Sequence, residues 1–269
     1  MKDFTQYRFN VLRSPKDTRD WKASAIYPRV TLPVRTNNRE LMFRVRDQGS
    51  QGACVAMAGS AMKEWQEVKE WNLSEYLSPQ FIYNNREDSS EEGMYMRDLM
   101  SILRKYGDCF ETLYKYGSMA PISEPVYRNA ANYIIKNYAS VETLEELKTA
   151  LYLNGPCVIA VPVYNFTERM WFRRPGDYQL GGHSMAVVDY DDEKGGLWIR
   201  NSWGTDWGND GYCFMKYEDF PMVWEWWTTI DEKSMPDPPE PHKKSWLEKY
   251  WWVIVIGIVV IGTIVLILT

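Results

Sequence analysis

An uninterrupted apolar run near the C-terminus limits most strongly how this chain can fold. Residues 251–268 contain no charged side chain and consist almost entirely of Trp, Val, Ile, Leu and Gly. A backbone in lipid must satisfy its own hydrogen bonds, which a helix does within one segment. The run also approaches the ~20 residues that a helix needs to span a bilayer. We therefore predict one transmembrane helix over residues 250–269 that anchors the chain in a membrane.

The residues before this run predict the orientation of the anchor. Tyr250, Trp251 and Trp252 form an aromatic belt of the kind found at membrane surfaces. Three lysines stand in residues 243–249, and positive charge of this kind stays on the cytoplasmic side. We therefore expect the body of the protein to be cytoplasmic. Residues 231–249 are rich in proline and charge, which is typical of an exposed, semi-stiff linker.

The spacing of apolar residues predicts helices in the first half of the body and strands in the second. Apolar side chains recur at the three- and four-residue steps of an amphipathic helix over residues 54–71, 96–106 and 142–153. Short β-prone runs follow Gly155 and are separated by Gly-rich or Asp-rich turns, at residues 158–161, 185–188, 197–199 and 212–215. We therefore predict an α+β domain over residues 41–230 with two lobes.

Residues 1–40 differ from the rest of the body. They are polar and mixed, with prolines spread through them, which predicts a peripheral and mostly extended segment. Two interpretations stay open for this N-terminal extension. It is either a plain surface segment or a short regulatory segment that inhibits the activity of the domain.

Charge and cysteine usage exclude several classes of protein. The net charge is −5 and no basic run with interleaved aromatics occurs, which argues against a nucleic-acid binder. The four cysteines include no CxxC pair, so a zinc site is not expected. The first residues lack the apolar stretch of a secretory signal, and unpaired cysteines fit a reducing compartment. Two disulfides remain arithmetically possible.

The first stretch with chemical content leads into the predicted helix at residue 54. Glycines at 49 and 52 allow a tight loop before Cys54. A thiol at a helix N-terminus feels the positive end of the helix dipole, which favours the nucleophilic thiolate. Gln48 lies six residues upstream, where its amide could form an oxyanion hole together with the Cys54 backbone N–H.

Two further stretches supply partners for this cysteine. The chain has two histidines, and His242 lies in the linker. His183 follows two glycines and opens a strand, where the bare backbone leaves room beside the imidazole. Histidine is the usual base for a cysteine nucleophile, so His183 is the candidate base for Cys54. Asn201 ends a later strand, and its side-chain oxygen could fix the orientation of the imidazole. Trp203 could shield that hydrogen bond from water.

Together these stretches resemble the papain family of cysteine peptidases. His183 lies 129 residues after Cys54 and Asn201 lies 147 after it, which is similar to the family spacing. The resemblance implies Cys54 as nucleophile, His183 as acid and base, Asn201 as orienting residue and Gln48 as oxyanion donor. It also implies a papain-like two-lobe fold, with a helical N-terminal lobe and a β-barrel-like C-terminal lobe.

A softer match concerns substrate binding. The stretch around Gly93 resembles the family's Gly-rich strand, which binds the substrate backbone by adding it as an extra strand. The residue after this glycine would line the P2 pocket. The predicted substrate-binding residues are Gly52, Gly93, Met94, Gly182 and Trp203.

The chain also departs from the family pattern. Gln51 stands where secreted relatives have a half-cystine, and Val55 replaces the aromatic residue that usually follows the nucleophile. The first departure agrees with a reducing location. The second changes the packing under the cysteine.

The combined interpretation is a membrane-tethered cysteine-type endopeptidase that hydrolyses peptide or protein substrates through a thioester on Cys54. No metal or organic cofactor is implied. One alternative is a cysteine-dependent amidase or acyl transferase on the same fold. The other is a catalytically silent, membrane-tethered binding protein.

Overall fold

The body of the protein is described by a computed structural model that covers residues 4–90 and 92–230. The linker and the predicted transmembrane helix lie outside the described residues. Within the two described ranges, no helix combines the length and the apolarity that crossing a bilayer requires.

Helix α1, Cys54–Trp71, lies at the centre of the body. It contacts the helical part on one side and the sheet on the other, so its first fourteen residues are buried all round. The helix ends where Asn72 adopts a left-handed conformation with φ of 55°. This element confirms the helix predicted over residues 54–71 and places its first residue in the interior.

Two further helices also match the sequence pattern. Helix α3, Met96–Lys105, buries its apolar face, and Gly107 ends it in a left-handed conformation with φ of 78°. Helix α5, Leu144–Leu153, begins with a capping box, because Thr143 and Glu146 each bond to the other's backbone N–H. Helices α2, Pro79–Asn84, and α4, Glu124–Ala130, are too short to show a helical period in the sequence.

The strands form one six-stranded sheet with the order β3-β8-β4-β5-β6-β7. Its members are β3 Asn137–Ser140, β4 Cys157–Val163, β5 Gly181–Asp191, β6 Gly196–Arg200, β7 Tyr212–Lys216 and β8 Glu225–Ile230. The pairs within this sheet are antiparallel, and β4 and β5 are in register from Cys157 opposite Val187 to Val163 opposite Gly181.

The expectation of a barrel-like second lobe is wrong. Within the described residues, β3 pairs in the sheet only with β8 and β7 only with β6, so both edges of the sheet stay open. Closing a sheet requires the first and last strands to pair with a matched tilt and stagger. The sequence pattern gave the alternation of the strands but carried no signal for their order.

The N-terminal segment packs into the body rather than lying at its periphery. Strand β1, Val11–Leu12, pairs in parallel with β2, Met94–Tyr95. Tyr7 is only 3% exposed, and Ala23 is fully buried in the core beside the sheet. Its prolines and polar residues predicted a peripheral segment and concealed these contacts.

Candidate active site

Cys54 is the first residue of α1, and its thiol is fully buried. The loop before it turns at Gly49, which adopts a φ of 58° that favours glycine. Backbone N–H groups of Cys54, Val55 and Ser184 point at the sulfur. Since Ser184 directly follows His183 on β5, this contact places the thiol against the strand that carries the histidine.

His183 is fully buried near the start of β5, where it is hydrogen-bonded to a residue at the end of β6. Its Nε2 lies 2.7 Å from Oδ1 of Asn201. An amide oxygen only accepts, so Nε2 carries the proton and Nδ1 is left as the basic nitrogen. Nδ1 is buried without a hydrogen-bond partner among the described residues. The imidazole therefore has one nitrogen fixed and the other available for proton transfer.

Trp203 covers this pair. Its ring is fully buried and lies 5.0 Å from the imidazole, between ring centroids. The indole keeps water away from the bond between His183 and Asn201, and a bond in such a low-dielectric place is electrostatically stronger than one in water.

Burial sets the protonation states of Cys54 and His183. Loss of solvent raises the pKa of the Cys54 thiol to about 11, although three backbone N–H groups oppose this. Loss of solvent also lowers the pKa of His183 to about 4, although the bond to Asn201 opposes the shift. At neutral pH both groups are therefore uncharged in this conformation.

Gln48 is held in place by a residue that the sequence analysis did not single out. Ser202 Oγ donates to Gln48 Oε1 at 2.7 Å, and the Ser202 N–H donates to Asn201 Oδ1 at 2.8 Å. Because Oε1 accepts this bond, the orientation of the Gln48 amide is fixed. Its Nε2 donates to Gln51 O at 3.0 Å. Ser202 therefore positions both predicted polar groups, and its place between Asn201 and Trp203 was the one available signal.

The loops before Cys54 and after Asn201 also bond through their backbones. The Gln48 N–H donates to Ser202 O at 2.8 Å, and the Gly204 N–H donates to Arg46 O at 3.0 Å. Asp47 and Trp203 form an antiparallel bridge between these two bonds. The loop that carries Gln48 and the loop that follows Asn201 thus form one short backbone ladder.

The glycines predicted to contact substrate lie where other backbone approaches closely. A Cβ at Gly52 would meet the Glu92 carbonyl oxygen, and one at Gly93 would meet the Asn10 carbonyl oxygen. A Cβ at Gly182 would meet the ring of Trp224. Met94 is buried and lies opposite Val11 in the β1–β2 pair.

Residues 4–14, which we call the N-terminal strap, cross the cleft above Cys54 and His183. The Gly182 N–H donates to Phe9 O at 3.2 Å, and the Met94 N–H donates to Asn10 O at 3.3 Å. The strap thereby bonds to both walls of the cleft. It fills the position that was predicted for a substrate backbone.

The first half of the strap packs on the indole that covers His183 and Asn201. The rings of Phe4, Tyr7 and Phe9 lie 4.9–5.9 Å from the Trp203 ring, between centroids. Tyr7 also donates its hydroxyl to Asp47 Oδ1 at 2.7 Å. This aromatic cluster closes the site on the side of His183.

The structure brings Cys54, His183, Asn201 and Gln48 together at the junction of α1 and the sheet, with Trp203 beside them. All four cysteines are free and buried, so none of the arithmetically possible disulfides forms. The strap contacts were missed because isolated Phe, Asn and Val residues in a polar segment show no periodic pattern.

Comparison with known proteins gives a consistent picture. The model for the family described as "Papain family cysteine protease" matches residues 31–222. An uncharacterized peptidase C1-like protein of Acanthamoeba polyphaga mimivirus is 28% identical over 198 residues, which is 64% of each chain. Peptidase 1 of Euroglyphus maynei is 26% identical over 215 residues, covering 72% of this chain and 66% of the relative. The chain thus spans just under two thirds of the length of these relatives.

Solved structures share the fold. Xylellain, a cysteine protease from Xylella fastidiosa, has a TM-score of 0.75 and 27% identity, over 87% of this chain and 99% of that chain. Digestive procathepsin L 3 of the Tenebrio molitor larval midgut has a TM-score of 0.61 over 79% of this chain and 76% of that chain. At 18% identity the second likeness shows the fold alone.

Proposed function

The chain belongs to the papain family of cysteine proteases, and we propose on this basis that it hydrolyses peptide bonds with Cys54 as nucleophile. The observation that carries the proposal is the contact between the Cys54 sulfur and the backbone beside His183, whose Nε2 is held by Asn201. A thiol, a base and a residue that orients the base are the parts that thioester chemistry requires.

The geometry supports the following reaction. Once substrate is bound, Nδ1 of His183 takes the thiol proton and the sulfur attacks the scissile carbonyl carbon. Gln48 Nε2 and the Cys54 N–H stabilise the resulting oxyanion. The tetrahedral species collapses to a thioester as the imidazolium gives its proton to the leaving amine. Water, deprotonated by His183, then cleaves the thioester and restores the thiol.

The N-terminal strap is proposed to restrain this activity. The strap occupies both walls of the cleft, and the burial it contributes to keeps Cys54 and His183 uncharged. Its direction also opposes cleavage. The leaving amine of a substrate must lie beside His183, so the part of the substrate C-terminal to the scissile bond crosses the His183 side of the cleft. In the strap, the N-terminal part lies on that side, so the strap runs in the opposite direction. The predicted extension at residues 1–40 thereby gains a regulatory role.

Heavy-oxygen labelling separates hydrolysis from acyl transfer to an amine. The full-length Val11→Asp chain, whose strap carries a buried charge, is incubated with a peptide mixture in H₂¹⁸O. We expect mass spectrometry to find one ¹⁸O in each new carboxyl terminus, because water supplies that oxygen. Products joined to an added amine acceptor, without ¹⁸O, would instead identify an acyl transferase, and intact peptides would identify a silent binding protein.

The proposed location is the cytoplasmic face of a membrane, with residues 250–269 as the anchor. This proposal is supported by the apolar run, its aromatic belt and the preceding lysines.

Insertion can be tested by synthesis of the full chain in the presence of lipid vesicles, followed by alkaline extraction and flotation. We expect the chain to float with the vesicles and the Ile258→Lys/Ile261→Lys variant to be extracted, because each central lysine costs about 2.5–3.5 kcal/mol. Ser245→Lys serves as the matched control in the linker. Equal flotation of both variants would refute the anchor.

A further inference from the structure

A tyrosine hydroxyl reaches the loop that carries Gln48 from the helical part of the body. Tyr116 lies between α3 and α4, and its hydroxyl donates to the Gln48 backbone carbonyl oxygen at 2.8 Å. The Tyr116 ring is partly buried against the apolar cluster that contains Cys54. This bond therefore joins the residue that carries the candidate oxyanion donor to the helical part.

The other hydrogen bonds of Gln48 lead elsewhere. Within the described part of the chain, Gln48 bonds to Ser202 through its N–H and Oε1, and to Gln51 through Nε2. The Ser202 bonds align the two loops of the backbone ladder with each other, and the Gln51 bond stays inside one loop. Among the described residues, the Tyr116 bond is thus the hydrogen bond that fixes Gln48 to the helical part.

The loop that supplies this hydroxyl is itself held by α2. The Gly117 N–H donates to Gln80 Oε1 at 2.8 Å, and Ser78 Oγ donates to Tyr114 O at 2.5 Å. Helix α2 is buried over its first five residues, so it provides a fixed support. A hydroxyl on this support restricts the position of the carbonyl group to which it bonds.

The Tyr116 hydroxyl stays protonated, as a donor must. Burial raises its pKa, and the charge that Cys54 carries as a thiolate opposes a second negative charge nearby. This interaction also places the hydroxyl near the thiol, although its hydrogen bond goes to Gln48. A neutral phenol therefore donates to the carbonyl oxygen when the sulfur is ionised as well as when it is not.

We infer that Tyr116 is a positioning residue for the oxyanion donor, an inference that rests on the proposed peptidase function. The hydroxyl fixes the main chain of Gln48 relative to α1, and thereby holds Gln48 Nε2 where the oxyanion forms. A donor stabilises developing charge only where it is aimed in advance. A small displacement therefore weakens stabilisation of the transition state and leaves substrate binding largely intact.

The test removes the hydroxyl by Tyr116→Phe in the full-length Val11→Asp chain. We expect kcat for a fluorogenic peptide to fall about tenfold and KM to change less than about twofold, since the lost interaction acts in the transition state. Alkylation of Cys54 by iodoacetamide should keep its rate, because that reaction uses the thiolate but forms no oxyanion. A general loss of structure around the thiol would slow both reactions.

Tyr114→Phe is the matched control. The Tyr114 hydroxyl donates to Ala120 O and accepts from Asn84 Nδ2, so its removal costs two hydrogen bonds of the helical part and none to Gln48. This variant should lower the melting temperature at least as much as Tyr116→Phe does, and it should keep the kcat of the starting chain.

A second background tests whether Tyr116 acts through Gln48. In a chain that already carries Gln48→Ala, Tyr116→Phe should change kcat less than about twofold, because residues that act as one unit are not additive. A full further loss in that background, or an unchanged kcat for Tyr116→Phe alone, overturns the inference and leaves the proposed function standing. If the folded Val11→Asp chain cleaves no peptide, the proposed function fails instead.

Discussion

Replacement of Cys54 by alanine is expected to reduce peptide hydrolysis by about 10⁴-fold to 10⁶-fold, as removal of a catalytic nucleophile does in other hydrolases. The reason is that no other group in the cleft can form the thioester, since the remaining cysteines are buried elsewhere in the body. The measurement is the initial rate of peptide cleavage, with circular dichroism and thermal melting to show that the fold is retained.

Cys213→Ala is the matched control for this variant. Cys213 is a free, buried cysteine of β7 that lies in the core rather than in the cleft. It should retain the starting rate. A folded Cys54→Ala chain that cleaves peptide at an undiminished rate would reject Cys54 as the nucleophile.

The Val11→Asp substitution is expected to raise the rate of peptide hydrolysis by about a hundredfold or more. Burial of a valine contributes about 1.5–3 kcal/mol, and burial of an unpaired carboxylate costs several kcal/mol more. Every 1.36 kcal/mol changes the ratio of open to closed chains by a factor of ten. The strap would therefore leave the cleft in a large fraction of molecules.

Alkylation of Cys54 by iodoacetamide measures the same opening. In the closed chain the thiol pKa of about 11 leaves little thiolate below that pH, and the sulfur is inaccessible. The Val11→Asp chain should be alkylated near neutral pH, because solvent and an ionised partner both lower the pKa of the thiol.

Thr18→Asp adds the same charge at an exposed position beyond the strap and should leave both rates unchanged. Equal rates for Val11→Asp and the unmodified chain, in hydrolysis and in alkylation, would show that the strap does not restrain the site.

The sequence indicated the site better than it indicated the architecture around it. The residues around Cys54, His183 and Asn201 form distinctive local motifs, so these three residues could be identified from the motifs and their spacing. The bounds of α1 and α5 were also predictable, because the period of α1 and the capping residues of α5 are local features. Pairing of distant strands is not local, so neither the open sheet nor the last strand, β8, could be derived.

The strap shows the same limit. Val11 and Phe9 are ordinary residues in a polar stretch, and their importance arises from contacts with Met94 and Trp203, more than 80 residues away. Ser202 is an intermediate case. Its neighbours drew attention to the loop, but its bond to Gln48 depends on how two distant loops meet.

The backbone ladder between the Gln48 and Ser202 loops has a consequence for how the proposed peptidase can diversify. Because main-chain bonds join the two loops, their alignment is largely independent of which side chains surround them. Substitutions around Met94, outside these two loops, can then accumulate without disturbing the alignment of Gln48 and Asn201. Substrate preference and turnover become separable traits, so new specificities can arise on an unchanged reaction centre.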